Sequence, residues 1–347
     1  MTTDRIISAQ PRPQEDQTNW ALRPTRIHEY VGQRDLIDRL SIAIEAGQRR
    51  AEPLEHVLLH GPPGLGKTTL AHVLAHEMGT KLHVTSGPAL ARGTDLVSAL
   101  TRLSAGDILF IDEIHRLPVA VEEFIYPAME DFRIDVTLDS GLSARTVQIR
   151  CKPFTLVGAT TRAGLLSSPL RSRFGITHHL RYYGQDDLLT ILRRSAHLLN
   201  VPVTDDEGLE AIASRSRGTP RIANRLLRRV RDFATVRANG NITSKVVDAA
   251  LALEGVDALG LDELDRSYLG AIARTYAGGP VGLEAVAATM NEDSGTLEDV
   301  VEPYLLQIGF LARTRRGRAL TRSACEHLGV AYRPPEETPG GLFAANA

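Results

Sequence analysis

Cysteine is almost missing from this 347-residue chain: Cys151 and Cys325 are far apart and match no metal-ligand spacing. That argues against a disulfide framework and against a thiolate-held metal. An excess of one charge is missing too. Lys and Arg number 40 against 42 Asp and Glu, a net charge of −2, so any contact with nucleic acid must be local. No apolar run approaches the roughly 18 residues of a membrane span. The start, Met-Thr-Thr-Asp-Arg, carries no apolar signal region. The expectation is a cytoplasmic protein with no membrane contact. What remains is ordinary: hydrophobic residues are 43% and charged residues 24%, enough for real cores. At about 150 residues per domain the length predicts two or three domains.

Against that background one stretch stands out, Gly61-Pro-Pro-Gly64-Leu-Gly-Lys67-Thr68. The apolar run His56–His60 precedes it, and Thr69–Met78, with helical spacing, follows. Strand, glycine-rich loop and helix together form the setting of a phosphate-binding loop. Backbone N–H groups close around the phosphates, Lys67 reaches the β/γ oxygens, and the Thr68 hydroxyl ligates Mg²⁺.

Further strands are expected at Lys81–Thr85, Asp107–Ile111, Phe154–Ala159 and Ile176–Leu180, with helices around 34–49, 69–78, 94–104 and 121–131. Alternating strand and helix predicts an α/β fold: a parallel sheet with helices on both faces. Residues 133–150 break the rhythm. Ile134, Val136 and Leu138, then Val147 and Ile149, alternate with polar residues, as in an inserted β-hairpin. Such a hairpin is either surface decoration or a docking arm, since projecting apolar residues need cover.

Residues 184–255 read as a small all-helical unit, with caps at Thr204-Asp205, Thr219-Pro220 and Thr243. Its third helix holds Arg221, Arg225, Arg228, Arg229, Arg231 and Arg237, and most of these read as a solvated face with salt bridges. Residues 256–330 predict three helices and a two-stranded ribbon around Arg315-Arg316-Gly317, the outline of a winged helix. The polar segment 1–20 reads as a flexible arm, the Pro/Gly/Ala-rich segment 331–347 as a disordered tail, and 21–183 as the large domain.

Chemistry concentrates at strand ends. Ile108–Ile111 runs into Asp112-Glu113, one acid for the Mg²⁺ shell and one to polarise an attacking water. Phe154–Ala159 ends in Thr160-Thr161, and Thr161, ahead of Thr160, is expected to hold the γ-phosphate or the water. Arg171 and Arg173 sit in an expected loop before the last strand. A guanidinium there serves phosphoryl transfer, sometimes from a neighbouring subunit.

Six segments in this order, Gly61–Thr68, Asp112–His115, Gly158–Gly164, Ser168–Gly175, Arg217–Arg225 and Glu302–Phe310, closely resemble the RuvB family of AAA+ ATPases, motors of Holliday-junction branch migration. The resemblance runs from about Leu22 to Val330. It implies that Gly64, Lys67, Thr68 and Thr69 form the phosphate loop, with Thr68 and Asp112 at Mg²⁺. It also implies that Leu22, Arg23 and Tyr183 line the ATP, as do Glu130, Asp131 and Phe132. Asp112 and Glu113 correspond to the Walker B pair, Thr161 to the first sensor and Arg221 to the second. Arg173 corresponds to an arginine finger acting on the next subunit, and Arg313 and Arg318 to DNA contacts. The partners so implied are duplex DNA or the four-way junction, RuvA docked on hairpin 133–150, five further copies in a homo-hexameric ring, and a RuvC-type resolvase in a larger complex.

The residues speak independently about DNA. Arg313, Arg315, Arg316, Arg318 and Arg322 follow one another with no acid between them, a local patch for phosphates. The third helix of that domain is acidic (Glu298, Asp299, Glu302), a poor reader of a major groove. The expectation is backbone grip without sequence preference. An ATP-regulated winged-helix switch and a clamp-loader-like ATPase are the alternatives.

Overall fold

A computed structural model describes residues 20–137, 146–203 and 206–332. The expected arm lies almost wholly outside these residues. So do most of the expected tail, the hairpin tip with Leu138, and the Thr204-Asp205 cap.

The apolar run ahead of the phosphate loop forms β1 (Val57–His60). Val57, Leu58 and Leu59 are fully buried because both faces of the strand are covered. Next come β2 (Leu82–Ser86), β3 (Ile108–Asp112), the hairpin β4 (Arg133–Thr137) and β5 (Thr146–Arg150), β6 (Thr155–Thr160) and β7 (Ile176–His179). The main sheet is parallel with order β2-β3-β6-β1-β7. This is the predicted α/β fold. One core lies on each face, around Leu70, Val73 and Leu74 on one side and Leu96, Ile111 and Ile125 on the other.

The hairpin pairs Ile134 with Ile149 and Val136 with Val147. Ile134 is buried in the second core, whereas Val147 is 41% exposed. The base of the hairpin thus belongs to the domain, and an apolar side chain is left outward.

Four helices follow: Gln185–Leu198, Asp206–Ser214, Pro220–Arg237 and Ser244–Leu253. The Thr243 hydroxyl caps the last of them by accepting from Val246 N. Thr219 is the N-cap residue with Pro220 after it, as expected, but its hydroxyl donates to the Ser216 carbonyl and makes no capping bond.

The head carries helices Glu263–Thr275 and Leu283–Met290, then the ribbon β8 (Leu311–Thr314) and β9 (Gly317–Leu320), then a helix Arg322–Leu328. Its expected third helix runs unbroken as Ser294–Thr296, a π-turn Leu297–Val301 and Glu302–Gln307. The arginine segment expected to be a loop contains a short helix, Ser168–Ser172, capped by Ser167, whose hydroxyl accepts from Leu170 N. Among the described residues no helix is long and apolar enough to cross a membrane.

Candidate nucleotide site

Sheet register assembles the site. Three neighbouring strands, β3, β6 and β1, end on the same edge. Thr160 stands opposite His60, and Gly158 opposite Ile111, so Asp112 and Thr161 emerge beside the loop that leaves His60. Ligands bind at this carboxyl edge in open α/β sheets. The edge forms the floor of a cleft of about 710 Å³.

The phosphate loop needs its glycines for stated reasons. At Gly61 (φ +137°) a Cβ would meet the Leu180 carbonyl at 2.6 Å, and at Gly66 (φ +97°) it would meet the Tyr30 hydroxyl at 2.7 Å. Tyr30, buried beneath the loop, donates to the Leu65 carbonyl at 3.3 Å. The Tyr183 hydroxyl lies 3.3 Å from both groups. Burial raises both phenols, Tyr183 to about 12, so they stay protonated donors that brace the loop.

Lys67 is 8% exposed, and its ammonium donates to the Gly61 and Pro62 carbonyls at 2.8 and 2.9 Å. Burial lowers its pKa from 10.5 to about 8; Asp112 opposes the shift and Arg221 adds to it. Phosphates seated on Lys67 would favour its charged form and raise that pKa again. Triphosphate binding is therefore expected to take up a proton between about pH 8 and 10.5, with affinity falling up to about tenfold per pH unit across that window. Below pH 8 the ammonium is already charged and uptake vanishes. Calorimetry at pH 9 in buffers of different ionisation heat measures this, and Lys67→Met should abolish it.

Gly64, Thr68, Thr69, Asp112, Glu113 and Thr161 all line the cleft. Asp112 Oδ1 accepts from Glu113 N at 2.9 Å. Glu113 holds a left-handed backbone (φ 48°), and its carboxylate pairs with Arg116 at 2.9 Å. The geometry distinguishes the two threonines. Thr160 is 1% exposed; its hydroxyl sits 2.9 Å from His115 Nδ1 and accepts from Arg162 N at 3.0 Å. Only Thr161 faces the cleft.

The opposite walls come from elsewhere in the chain. Leu22, Arg23, Tyr183 and Arg221 line them as expected. Sequence reasoning missed Arg194, which donates to the Arg23 carbonyl at 3.3 Å and pairs with Glu29 at 3.3 Å. It thereby ties the N-terminal strap to the helical domain. His60 and His179 were missed as well: they line the cleft with rings 4.9 Å apart. No motif marks any of these residues. Also unforeseen, Glu298, Asp299 and Pro303 of the head border the cleft.

Glu130, Asp131, Phe132 and Arg173 are not brought into this cleft. Arg173 pairs with Glu130 at 3.0 Å, donates to the Pro169 carbonyl at 2.6 Å and lies over the Tyr126 ring. Asp131 pairs with Arg133 at 3.2 Å. Glu130, Asp131 and Phe132 therefore do not line the cleft of their own chain. The helix Val119–Glu130 carries this group away from the strand ends that hold the phosphate loop.

Arg313 and Arg318 are paired within the head. Glu302, fully buried, accepts from Arg313 Nε and Arg318 Nε, each at 2.8 Å, and from the Tyr268 hydroxyl at 2.6 Å. Burial alone would raise the pKa of Glu302, but these bonds outweigh it and hold the pKa low. The wing arginines are thus partly neutralised by the acidic helix behind them. Arg217, four residues before Arg221, is buried against the head. It donates to the Gly260 carbonyl at 2.9 Å, pairs with Asp265 and lies over the Tyr304 ring.

Comparison with known proteins agrees along the whole described chain. Residues 22–180 match the Holliday junction DNA helicase RuvB P-loop domain, 183–257 the RuvB AAA lid domain, and 258–329 the RuvB C-terminal winged helix domain. The Holliday junction branch migration complex subunit RuvB of Kosmotoga olearia is 56% identical over 317 residues, covering 91% of this chain and 92% of that protein. The Thermotoga maritima RuvB Holliday junction branch migration motor is 51% identical with a TM-score of 0.81, covering 90% of this chain and 100% of that one. A substitution variant of it reaches 52% identity and a TM-score of 0.82, covering 90% and 99%. These relatives support a junction motor and not the regulator or clamp-loader alternatives.

Proposed function

The chain belongs to the RuvB family of Holliday-junction branch-migration motors, and we propose that it hydrolyses ATP in the cleft between its large and helical domains to drive that migration. The observation that carries this reading is one cleft lined by the phosphate loop, Asp112, Glu113, Thr161 and Arg221. Lys67 and the loop amides bind the phosphates, Thr161 positions the γ-phosphate or the attacking water, and Glu113 takes the water's proton. Arg221 reports the phosphates to the helical domain. Thr68 and Asp112 are hard oxygen donors, and the described residues hold no denser cluster of metal-binding side chains. That suits Mg²⁺, which shares its shell with phosphates and water and supplies charge neutralisation there.

Arg173, with Glu130, Asp131 and Phe132, completes the site of the next subunit in a hexameric ring. Arg217, buried against Asp265, makes the head follow the helical domain. The head holds duplex DNA by its backbone through Arg313 and Arg318 with their wing neighbours. RuvA docks on the outward face of hairpin 133–150, and a RuvC-type resolvase joins the larger assembly in the cytoplasm. The division into 21–183, 184–255 and 256–330 follows these roles.

A synthetic four-way junction tests the reading. With RuvA, ATP and Mg²⁺ the protein should convert it to two duplexes. A non-hydrolysable analogue should stop this while the protein stays bound. ATP turnover without any junction processing would return the alternative readings.

A further inference from the structure

The head touches the large domain at the nucleotide cleft. Arg162, directly after Thr161, donates from Nη2 to both carboxylate oxygens of Asp299, at 2.5 and 2.6 Å. Asp299 and Glu298 sit on the π-turn Leu297–Val301, an irregularity often found at functional sites. Glu298 also lies 3.8 Å from Arg313 and 3.7 Å from Arg318. One short turn therefore borders the cleft and also faces the wing arginines. Two carboxylates on the wall of a cleft that takes a triphosphate oppose its charge.

The head's two joints differ in kind. Arg217 and Asp265 are 5% and 0% exposed, and breaking such a pair leaves a buried charge. Arg162 and Asp299 are 46% and 50% exposed. An exposed pair biases an equilibrium by about fivefold at most. The first joint is fixed and the second is releasable.

We propose that Arg162 and Asp299 form a latch that holds the head on the large domain when no nucleotide is bound. The γ-phosphate of a nucleoside triphosphate, seated by Lys67 and Thr161, draws Arg162 away from Asp299. The head is released, and the wing turns toward the DNA backbone. Arg162 is a positioning residue: it acts on DNA through the head. The triphosphate shifts the equilibrium because it binds the unlatched arrangement better, where Arg162 is available and the two acids have withdrawn. This inference rests on the cleft being the ATP site and the wing being the DNA contact.

The test measures duplex affinity of the full chain at fixed salt, with and without a non-hydrolysable ATP analogue and Mg²⁺. The analogue should raise wild-type affinity about fivefold. Arg162→Ala should raise nucleotide-free affinity to that level, although loss of a cation from a plain surface would lower it. Asp299→Asn should do the same without nucleotide and change nothing with it. A fall or no change for Arg162→Ala, or an equal rise in both states for Asp299→Asn, overturns the latch. Arg313→Ala with Arg318→Ala checks the underlying reading separately: undiminished affinity in both states sinks the wing contact. A readout without DNA then still judges the latch. Energy transfer between dyes on Gly164→Cys and Glu326→Cys, with the native cysteines replaced, should fall when the analogue is added. It should already be low in Arg162→Ala without nucleotide. Transfer that ignores both changes overturns the latch.

Discussion

Glu113→Gln is expected to lower steady-state ATP hydrolysis about 10²–10⁴-fold, the usual worth of a positioned general base, with nucleotide affinity retained. Glu113 lines the cleft beside Asp112 at the end of β3, where the apolar strand delivers both acids to the phosphate loop. An amide keeps the size of the side chain and its bond to Arg116 but cannot accept a proton from water. The Arg116 pair is exposed, 58% and 45%, so weakening it costs less than about 1 kcal/mol and the variant should fold. Phosphate release under saturating ATP, set beside a nucleotide titration, separates the two effects. Near-normal turnover would mean that the base is another group. Weakened binding with unchanged turnover would move Glu113 to a ground-state role.

Arg173→Ala is expected to lower hydrolysis by about 10³–10⁵, the range of an arginine finger, and to act through the neighbouring subunit. The geometry favours action on a neighbour's nucleotide. Arg173 does not line the cleft and points to Glu130, Tyr126 and the Pro169 carbonyl. Its side chain is 22% exposed, so it remains within reach of a partner. Mixing gives the sharper measurement. If Arg173 acts on the neighbour's site, rings mixed from Arg173→Ala and Lys67→Met subunits, each nearly inactive alone, should recover activity where an intact Lys67 meets a neighbour's intact Arg173. No recovery in the mixture would lose the trans assignment. Arg171 serves as the control, since only family alignment separates the two arginines by sequence.

Where chemistry depends on neighbours in the chain, the sequence was legible. Gly61–Thr68 announced itself because strand, turn and helix N-terminus are local features. Asp112-Glu113 followed because a buried parallel strand must end at the ligand edge. The five strands of the main sheet lie within a residue or so of where their apolar runs placed them. Thr161 was preferred over Thr160 from the sequence, but the reason lies out of its reach: Thr160 is held by His115, a residue from another strand's end. The pairing of Arg313 and Arg318 with Glu302 could not be read, since charge in a linear stretch says nothing about what folds behind it. The π-turn inside the expected third helix was also hidden.

By itself, then, the sequence determined a nucleotide-binding α/β domain, a helical companion and a basic-winged head, because short-range spacing and hydrophobic period dictate such units. Tertiary structure decided how they share work. It sent Arg221 into the cleft and buried Arg217 in the head, although the two are four residues apart. It set Arg173 on another face, and it laid Asp299 on Arg162 across 137 residues of chain. The physical reason is that burial and charge pairing are settled between elements distant in sequence, where no local pattern records which groups will meet.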